Sequence, residues 1–269
     1  MNPLSKQKIK RILAKIYFPI YRVNKFLNRE SKLIILMYHS INPNHFWSIT
    51  PQNFEEQIKW LINNYPIVSL KEFPNFNQDS IAITFDDGYE DNFYYAFPIL
   101  KKYNCPATIF LTTGFINKEI DITQQKNYCY HRLKPLTFEQ IIEMSKFKID
   151  FGCHTHTHQI LSKISLEAAE SEIVQSKQIL EKILNPKIDL FAYPNGQPKD
   201  FNQKIKNILK KHNFRIACST IWGANTIQAD PLSLYRIRID PFDNLNDFKQ
   251  KISGLWDFIR IFEKIKSLI

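Results

Sequence analysis

Short apolar runs rich in β-branched and aromatic residues recur along the chain, and the stretches between them carry helical spacing. Residues 33–38, 66–70, 81–85, 108–112, 189–193, 214–219 and 235–239 have strand character, and a further strand runs into the histidines that begin at His154. Between them, Thr50 followed by Pro51 marks a helix start, and Thr137 caps another. Residues 165–184 hold the longest helical pattern, which ends before Asn185 and Pro186. Pro98 is expected to kink or shorten the helix within 89–103. The span 114–135 is irregular and polar, and is expected to form a loop over the site, with Tyr128 and Tyr130 near its end and His131 as a surface residue. Strands alternating with helices predict a parallel sheet, and a (β/α) barrel with its function at the C-terminal mouth fits the pattern.

The first helical stretch, 4–27, differs from the others. Ile9, Ile12, Leu13, Ile16, Ile20, Val23 and Leu27 fall at helical spacing, with lysines and arginines between them. It lacks the uninterrupted apolar core and small-residue cleavage site of a signal peptide, and no stretch of the chain is apolar enough to span a bilayer. A basic amphipathic helix of this kind predicts either peripheral contact of residues 1–30 with anionic lipid or docking on the domain with a solvated basic face. The chain of 269 residues carries a net charge of +10, but +8 of it lies within residues 1–32. The basic balance therefore belongs to this arm and does not point to nucleic acid.

The expected organisation is an arm at 1–32, one catalytic domain at 33–257 and a helical end at 258–269. The expected location is the cytoplasm, or the periphery of the inner membrane face. Cys105, Cys129, Cys153 and Cys218 are isolated in sequence and are expected as reduced, mostly buried thiols rather than a disulfide framework.

Candidate chemistry gathers in two stretches. The apolar run 81–85 passes directly into Asp86, Asp87 and Gly88. Two adjacent carboxylates at the mouth of a buried strand repel each other unless a cation or proton compensates, and a turn at Gly88 lets both converge on one site. One can then bind a metal while the other acts as a base. The second stretch is His154-Thr155-His156-Thr157-His158. His154 and His158 with one carboxylate make a three-ligand site that leaves a position open for water. His156 is expected to face solvent or form hydrogen bonds, and Cys153, one residue before His154 on a strand, should point away from the site.

Taken together, these stretches resemble the polysaccharide deacetylases with the NodB homology domain, carbohydrate esterase family 4. Residues 84–89 match the T-F-D-D-G-[YF] motif, residues 154–158 match H-[ST]-x-x-H, and residues 191–196 match F-A-Y-P-x-G, so that the resemblance runs from about 33 to about 257. It implies a distorted seven-stranded (β/α) barrel and a divalent metal ion, zinc foremost, with cobalt, nickel or iron as alternatives. Asp87, His154 and His158 are then the metal ligands and Asp86 the base. Residues 37–40 match the Y-H motif of one branch, which makes His39 the candidate general acid. Tyr193, Pro194 and Asn195 become candidate substrate contacts, with a backbone N–H near Asn195 for the oxyanion.

Two departures stand out. Ala192 occupies the position where many members carry the arginine that orients the base, and Arg236, in a segment similar to the family's L-P-R-I, is the candidate substitute. The fourth motif survives only as Trp222, which either lines the sugar pocket or packs in the core. The activity implied is removal of N-acetyl groups from amino sugars of a surface polysaccharide or its lipid-linked precursor. O-acetyl ester hydrolysis and non-catalytic glycan binding stand as alternatives.

Overall fold

The structure, a computed structural model, describes residues 3–27, 30–124, 130, 132–185 and 187–268. Tyr128, Cys129, His131 and Pro186 lie outside the described residues, and with them the expectations for the Cys129 thiol and for His131. In chain order the elements are α1 (Pro3–Leu27), β1 (Leu33–Tyr38), α2 (Pro51–Ile62), β2 (Ser80–Phe85), α3 (Phe97–Lys102), β3 (Ala107–Leu111), α4 (Thr113–Ile116), α5 (Phe138–Ser145), β4 (Ile149–Cys153), α6 (Leu166–Leu184), β5 (Leu190–Ala192), α7 (Gln203–Lys211), β6 (Ile216–Trp222), β7 (Leu234–Arg238), α8 (Leu245–Ser253) and α9 (Phe258–Leu268). All strand pairs are parallel, and the order β1 to β7 closes into a seven-stranded barrel when Leu36 and Met37 pair with Ile237 and Arg238.

Alternation along each strand divides the apolar side chains into two layers. Leu33, Ile35, Ala82, Phe110, Leu190, Ala192, Ile216, Cys218 and Leu234 fill the barrel interior. Ile34, Leu36, Tyr38, Ile81, Ile83, Phe85, Phe151, Cys153 and Phe191 lie in the outer layer under the helices. Gly152 keeps the interior tight, since a Cβ there would stand 2.7 Å from the Phe110 ring and 2.8 Å from the Leu190 carbonyl oxygen. The inward set of positions, extended one residue past each strand, is the set that carries His39, Asp86 and His154 to the mouth.

Local signals held in detail. Thr50 Oγ1 accepts the Asn53 N–H at the start of α2, Thr137 and Gln140 form a capping box on α5, and Ser165 caps α6. Pro98 falls in the first turn of α3, which is six residues long and follows a π turn at Asn92–Ala96. The strand expected at 66–70 is corrected: only Ile67 bridges to Ile81, and a 3₁₀ turn begins at Leu70. Both edges of β2 are already taken, by β1 along its whole length and by β3 at Thr84 and Phe85, so this segment finds only the lower end of the strand.

The first helix docks on the domain through its polar side. Arg11 donates to Asp247 at 2.6 to 3.1 Å, Gln7 Nε2 to Asp243 Oδ1 at 2.6 Å, and Lys10 Nζ to Asp240 Oδ2 at 3.1 Å. Ala14 is buried beside them, and Tyr17 meets Phe258 of α9 edge to face. Ile9, Ile12, Ile16 and Ile20 face outward instead, and no helix among the described residues is long and apolar enough to cross a membrane.

Candidate active site

The barrel mouth opens into a cavity of about 660 Å³ lined by His39, Asp86, Asp87, His154, His158 and Asn195, among others. The two neighbouring aspartates reach it by a break in strand geometry. Asp86 continues the inward register of β2, and its N–H donates to the Tyr38 carbonyl at 3.1 Å. Asp87 (φ +75°) and Gly88 (φ +83°) are then both left-handed, so the turn expected at Gly88 begins one residue earlier. Aspartate tolerates this region better than most side chains. The second carboxylate is thereby brought back to the cavity that the first one faces.

The histidine loop uses the same device. His154 keeps the inward register of β4, after which Thr155 and His158 are left-handed (φ +63° and +61°) and fold the loop back. Glu172 of α6 fixes that fold by accepting the N–H groups of His156 and Thr157 and the Thr157 hydroxyl. His154 Nδ1–H donates to the Ala192 carbonyl at 2.7 Å, which leaves its Nε2 lone pair for the cluster.

Asp87, His154 and His158 each offer one ligand atom, all within 4.8 Å of one another. Asp87 Oδ1 is 3.5 Å from His154 Nε2 and 3.4 Å from His158 Nε2, and the other Asp87 oxygen accepts from Tyr89 OH at 2.9 Å. Burial pulls the pKa of His158 down to about 4, against the pull of Asp87, so the ring is neutral at pH 7. One carboxylate oxygen and two imidazole nitrogens at this convergence fit a divalent cation of the zinc type with a coordination position to spare.

Arg236 reaches the site from β7, two strands from β2 around the closed barrel. Fully buried on β7, it donates NH1 to Asp86 Oδ1 and NH2 to Asp86 Oδ2, both at 2.7 Å, as well as Nε to the Ser219 carbonyl at 2.8 Å and NH1 to Thr84 Oγ1 at 3.2 Å. It therefore makes the pairing for which Ala192 is too short. Burial alone would raise the Asp86 pKa, but the guanidinium outweighs it and holds the carboxyl well below the usual range.

His39 follows β1 and lines the cavity, its ring stacked at 5.3 Å on Tyr130 from the loop expected over the site. Burial lowers its pKa, with Asp87 and Asp86 pulling the other way. Asn195 is left-handed (φ +59°) and exposed at the cavity wall.

Three expected contacts are placed elsewhere. Tyr193 has the outward register of β5, stacks on Phe201 at 4.1 Å and donates its hydroxyl to the Leu232 carbonyl. Pro194 is buried and does not line the cavity. Trp222 packs in the outer layer, where its Nε1–H donates to Asp257 at 3.0 Å, because the irregular pairing of β6 with β7 between Cys218 and Trp222 breaks the alternation. His156 is turned from the cluster, with Nδ1 hydrogen-bonded to Thr113 Oγ1, Nε2 to Gln175 Nε2 at 3.0 Å, and the Glu119 carboxylate 2.9 Å from the same nitrogen. Cys153 points outward as expected, its thiol pushed up to about 12 by burial.

Other cavity residues carried no sequence signal of their own. Trp47 and Phe242 sit in loops after β1 and β7, and Lys10 and Arg238 add positive charge beside Asp240. The one available hint was their place in loops at the C-terminal ends of barrel strands.

Comparison with known proteins agrees with this geometry. A family model described as polysaccharide deacetylase matches residues 74–217. The poly-beta-1,6-N-acetyl-D-glucosamine N-deacetylase of Staphylococcus aureus is 31% identical over 255 residues, covering 82% of this chain and 84% of that protein. Among solved structures, the Streptococcus pyogenes deacetylase PplD in complex with acetate superposes with a TM-score of 0.71 at 28% identity, covering 83% of this chain and 99% of the other. A polysaccharide deacetylase from Bacillus cereus gives 0.69 at 28% identity, covering 83% and 69%.

Proposed function

This chain belongs to the polysaccharide deacetylase family, and on that premise we propose that it hydrolyses the N-acetyl groups of amino sugars in a surface polysaccharide or its lipid-linked precursor, with a polymer of N-acetylglucosamine as the first substrate to try. The observation that carries this reading is the convergence of Asp87, His154 and His158 beside the Asp86–Arg236 pair in one cavity. Trp47, Tyr130 and Phe242 on the cavity wall offer apolar faces suited to sugar rings.

Asp87, His154 and His158 would hold the metal. When bound there, such an ion supplies Lewis acidity that makes water a nucleophile at neutral pH. Asp86 takes the proton released as water attacks the acetamide carbonyl. Arg236 keeps that carboxylate ionised and fixed in direction, while each of its oxygens retains a second lone pair for the incoming proton. The Asn195 N–H, which has no acceptor among the described residues, donates to the developing oxyanion, a contact worth roughly 3 kcal/mol. His39 hands a proton to the departing amine. Burial makes its imidazolium a stronger acid than an exposed one.

The test is acetate release from N-acetylglucosamine oligomers, with and without chelator and with Asp86→Asn. An O-acetylated oligosaccharide in parallel separates amide from ester cleavage. Binding of the oligomer without acetate release from a zinc-loaded preparation would favour a glycan-binding role and end the hydrolase reading.

The outward isoleucines of α1 support a second, smaller proposal, that this face rests on an anionic lipid surface. Ile9, Ile12, Ile16 and Ile20 form one exposed stripe with Lys8 and Lys15 beside it. Flotation with anionic vesicles, compared between the parent chain and a variant with these four isoleucines changed to serine, tests it. Equal recovery of the two would remove it.

A further inference from the structure

The loop that carries the two aspartates also grips the segment that carries His39, residue by residue. Asp86 N–H donates to the Tyr38 carbonyl at 3.1 Å. Asn92 Nδ2 donates to the His39 carbonyl at 2.9 Å and to Asp91 Oδ1 at 3.1 Å. Ser40 Oγ donates to Asp91 Oδ2 at 2.5 Å, and the same oxygen accepts from Asn42 Nδ2 at 3.4 Å. Ser40 is bonded in turn to Ser48, and Ser48 to His45 Nδ1. Asn92 is fully buried, and Asp91, Ser40 and Ser48 are nearly so. Asn92 also opens the π turn, a widened helical turn of a kind found disproportionately at functional sites.

We propose that Asn92, seconded by Asp91 and Ser40, is a positioning residue for His39, setting where the proton donor stands relative to the carboxylates on the far side of the scissile bond. The proposal rests on the reading of His39 as the acid. Three successive residues of the His39 segment are tied to residues of the aspartate loop, so donor and base are surveyed from one rigid piece of chain. A buried amide serves this purpose better than a hydroxyl or an aliphatic group, since one NH₂ bridges the His39 carbonyl and the Asp91 carboxylate at once. Released from that bridge, the end of β1 can shift, and a displacement of about 1 Å at a reacting group is enough to cost on the order of 100-fold in rate.

The experiment compares two leaving groups. An amine must be protonated to leave, whereas the phenolate of 4-nitrophenyl acetate departs unaided. Zinc-loaded Asn92→Ala is expected to lower kcat for an N-acetylglucosamine oligomer about 10- to 100-fold with KM little changed. The ratio of amide to ester kcat should fall with it, and Asn92→Ala should add nothing when His39 is already alanine. Ser40→Ala, which cuts the Asp91 tie and leaves Asn92 in place, should show the same pattern at smaller amplitude and keeps the test open should Asn92→Ala fold poorly. Equal losses on amide and ester, or a full additive loss in the His39→Ala background, would overturn the positioning role. A His39→Ala enzyme whose amide-to-ester ratio matches the parent's would instead bring down the acid reading itself, and the positioning role with it.

Discussion

Replacing Arg236 with methionine removes four hydrogen bonds from one fully buried group and leaves Asp86 ionised without its partner. The volume is roughly kept, so the cavity contribution is small and the uncompensated charge dominates. Breaking one side of a buried pair costs about 3–5 kcal/mol, and each kcal/mol moves the melting midpoint of a domain of this size by about 2–4 °C. A fall of about 6–20 °C in a calorimetric scan is therefore expected. The second half of the experiment separates charge from packing. In Arg236→Met combined with Asp86→Asn the stranded charge is gone, and most of the lost stability should return while acetate release stays abolished. A single variant that melts with the parent would refute the argument. A double variant as unstable as the single one would shift the cause to the Ser219 and Thr84 contacts.

The metal assignment predicts that His154→Ala and His158→Ala lose stoichiometric zinc by elemental analysis, while His156→Ala, whose ring is hydrogen-bonded to Thr113 and Gln175, retains it. Asp91 gives a pH dependence. Burial raises its pKa from 3.8 to about 6, so the folded chain holds that proton more tightly than the unfolded one, and stability falls as pH rises through this window, by on the order of 3 kcal/mol. Asp91→Asn should flatten that decline in melts taken between pH 4 and 6.5, and parallel profiles for the two proteins would contradict it. Gly152→Ala forces a methyl group to 2.7 Å from the Phe110 ring and is expected to cost about 1–3 kcal/mol by denaturant titration. No loss would mean that the barrel interior has slack.

Much of this was legible in the sequence because strands buried on both faces spell themselves out as apolar runs. Residues 33–38 are β1 to the residue, and the ends of β2 and β4 fall where Asp86 and His154 begin. The direction of Arg236 was not legible, since it depends on which strand closes the barrel against β1. The choice between pocket and core for Trp222 stayed open for a related reason, because a pairing irregularity in β6 leaves no mark in composition. The first helix showed its amphipathic pattern plainly, but periodicity does not say which face a helix turns to its neighbour. Here three aspartates at 240, 243 and 247 captured the polar side. Trp47, Phe242 and the Asp91–Asn92 grip come from chain segments that meet only after folding.

Strand parity has one more consequence, for how such a chain tolerates insertions and deletions. His39, Asp86, His154 and Arg236 all sit at inward positions counted from within their own strands, so gaining or losing one residue in β1, β2, β4 or β7 would swing that side chain under the helices and out of the cavity. The strand lengths thus act as a ruler for the site, and length variation among descendants of this chain should gather in the connecting loops.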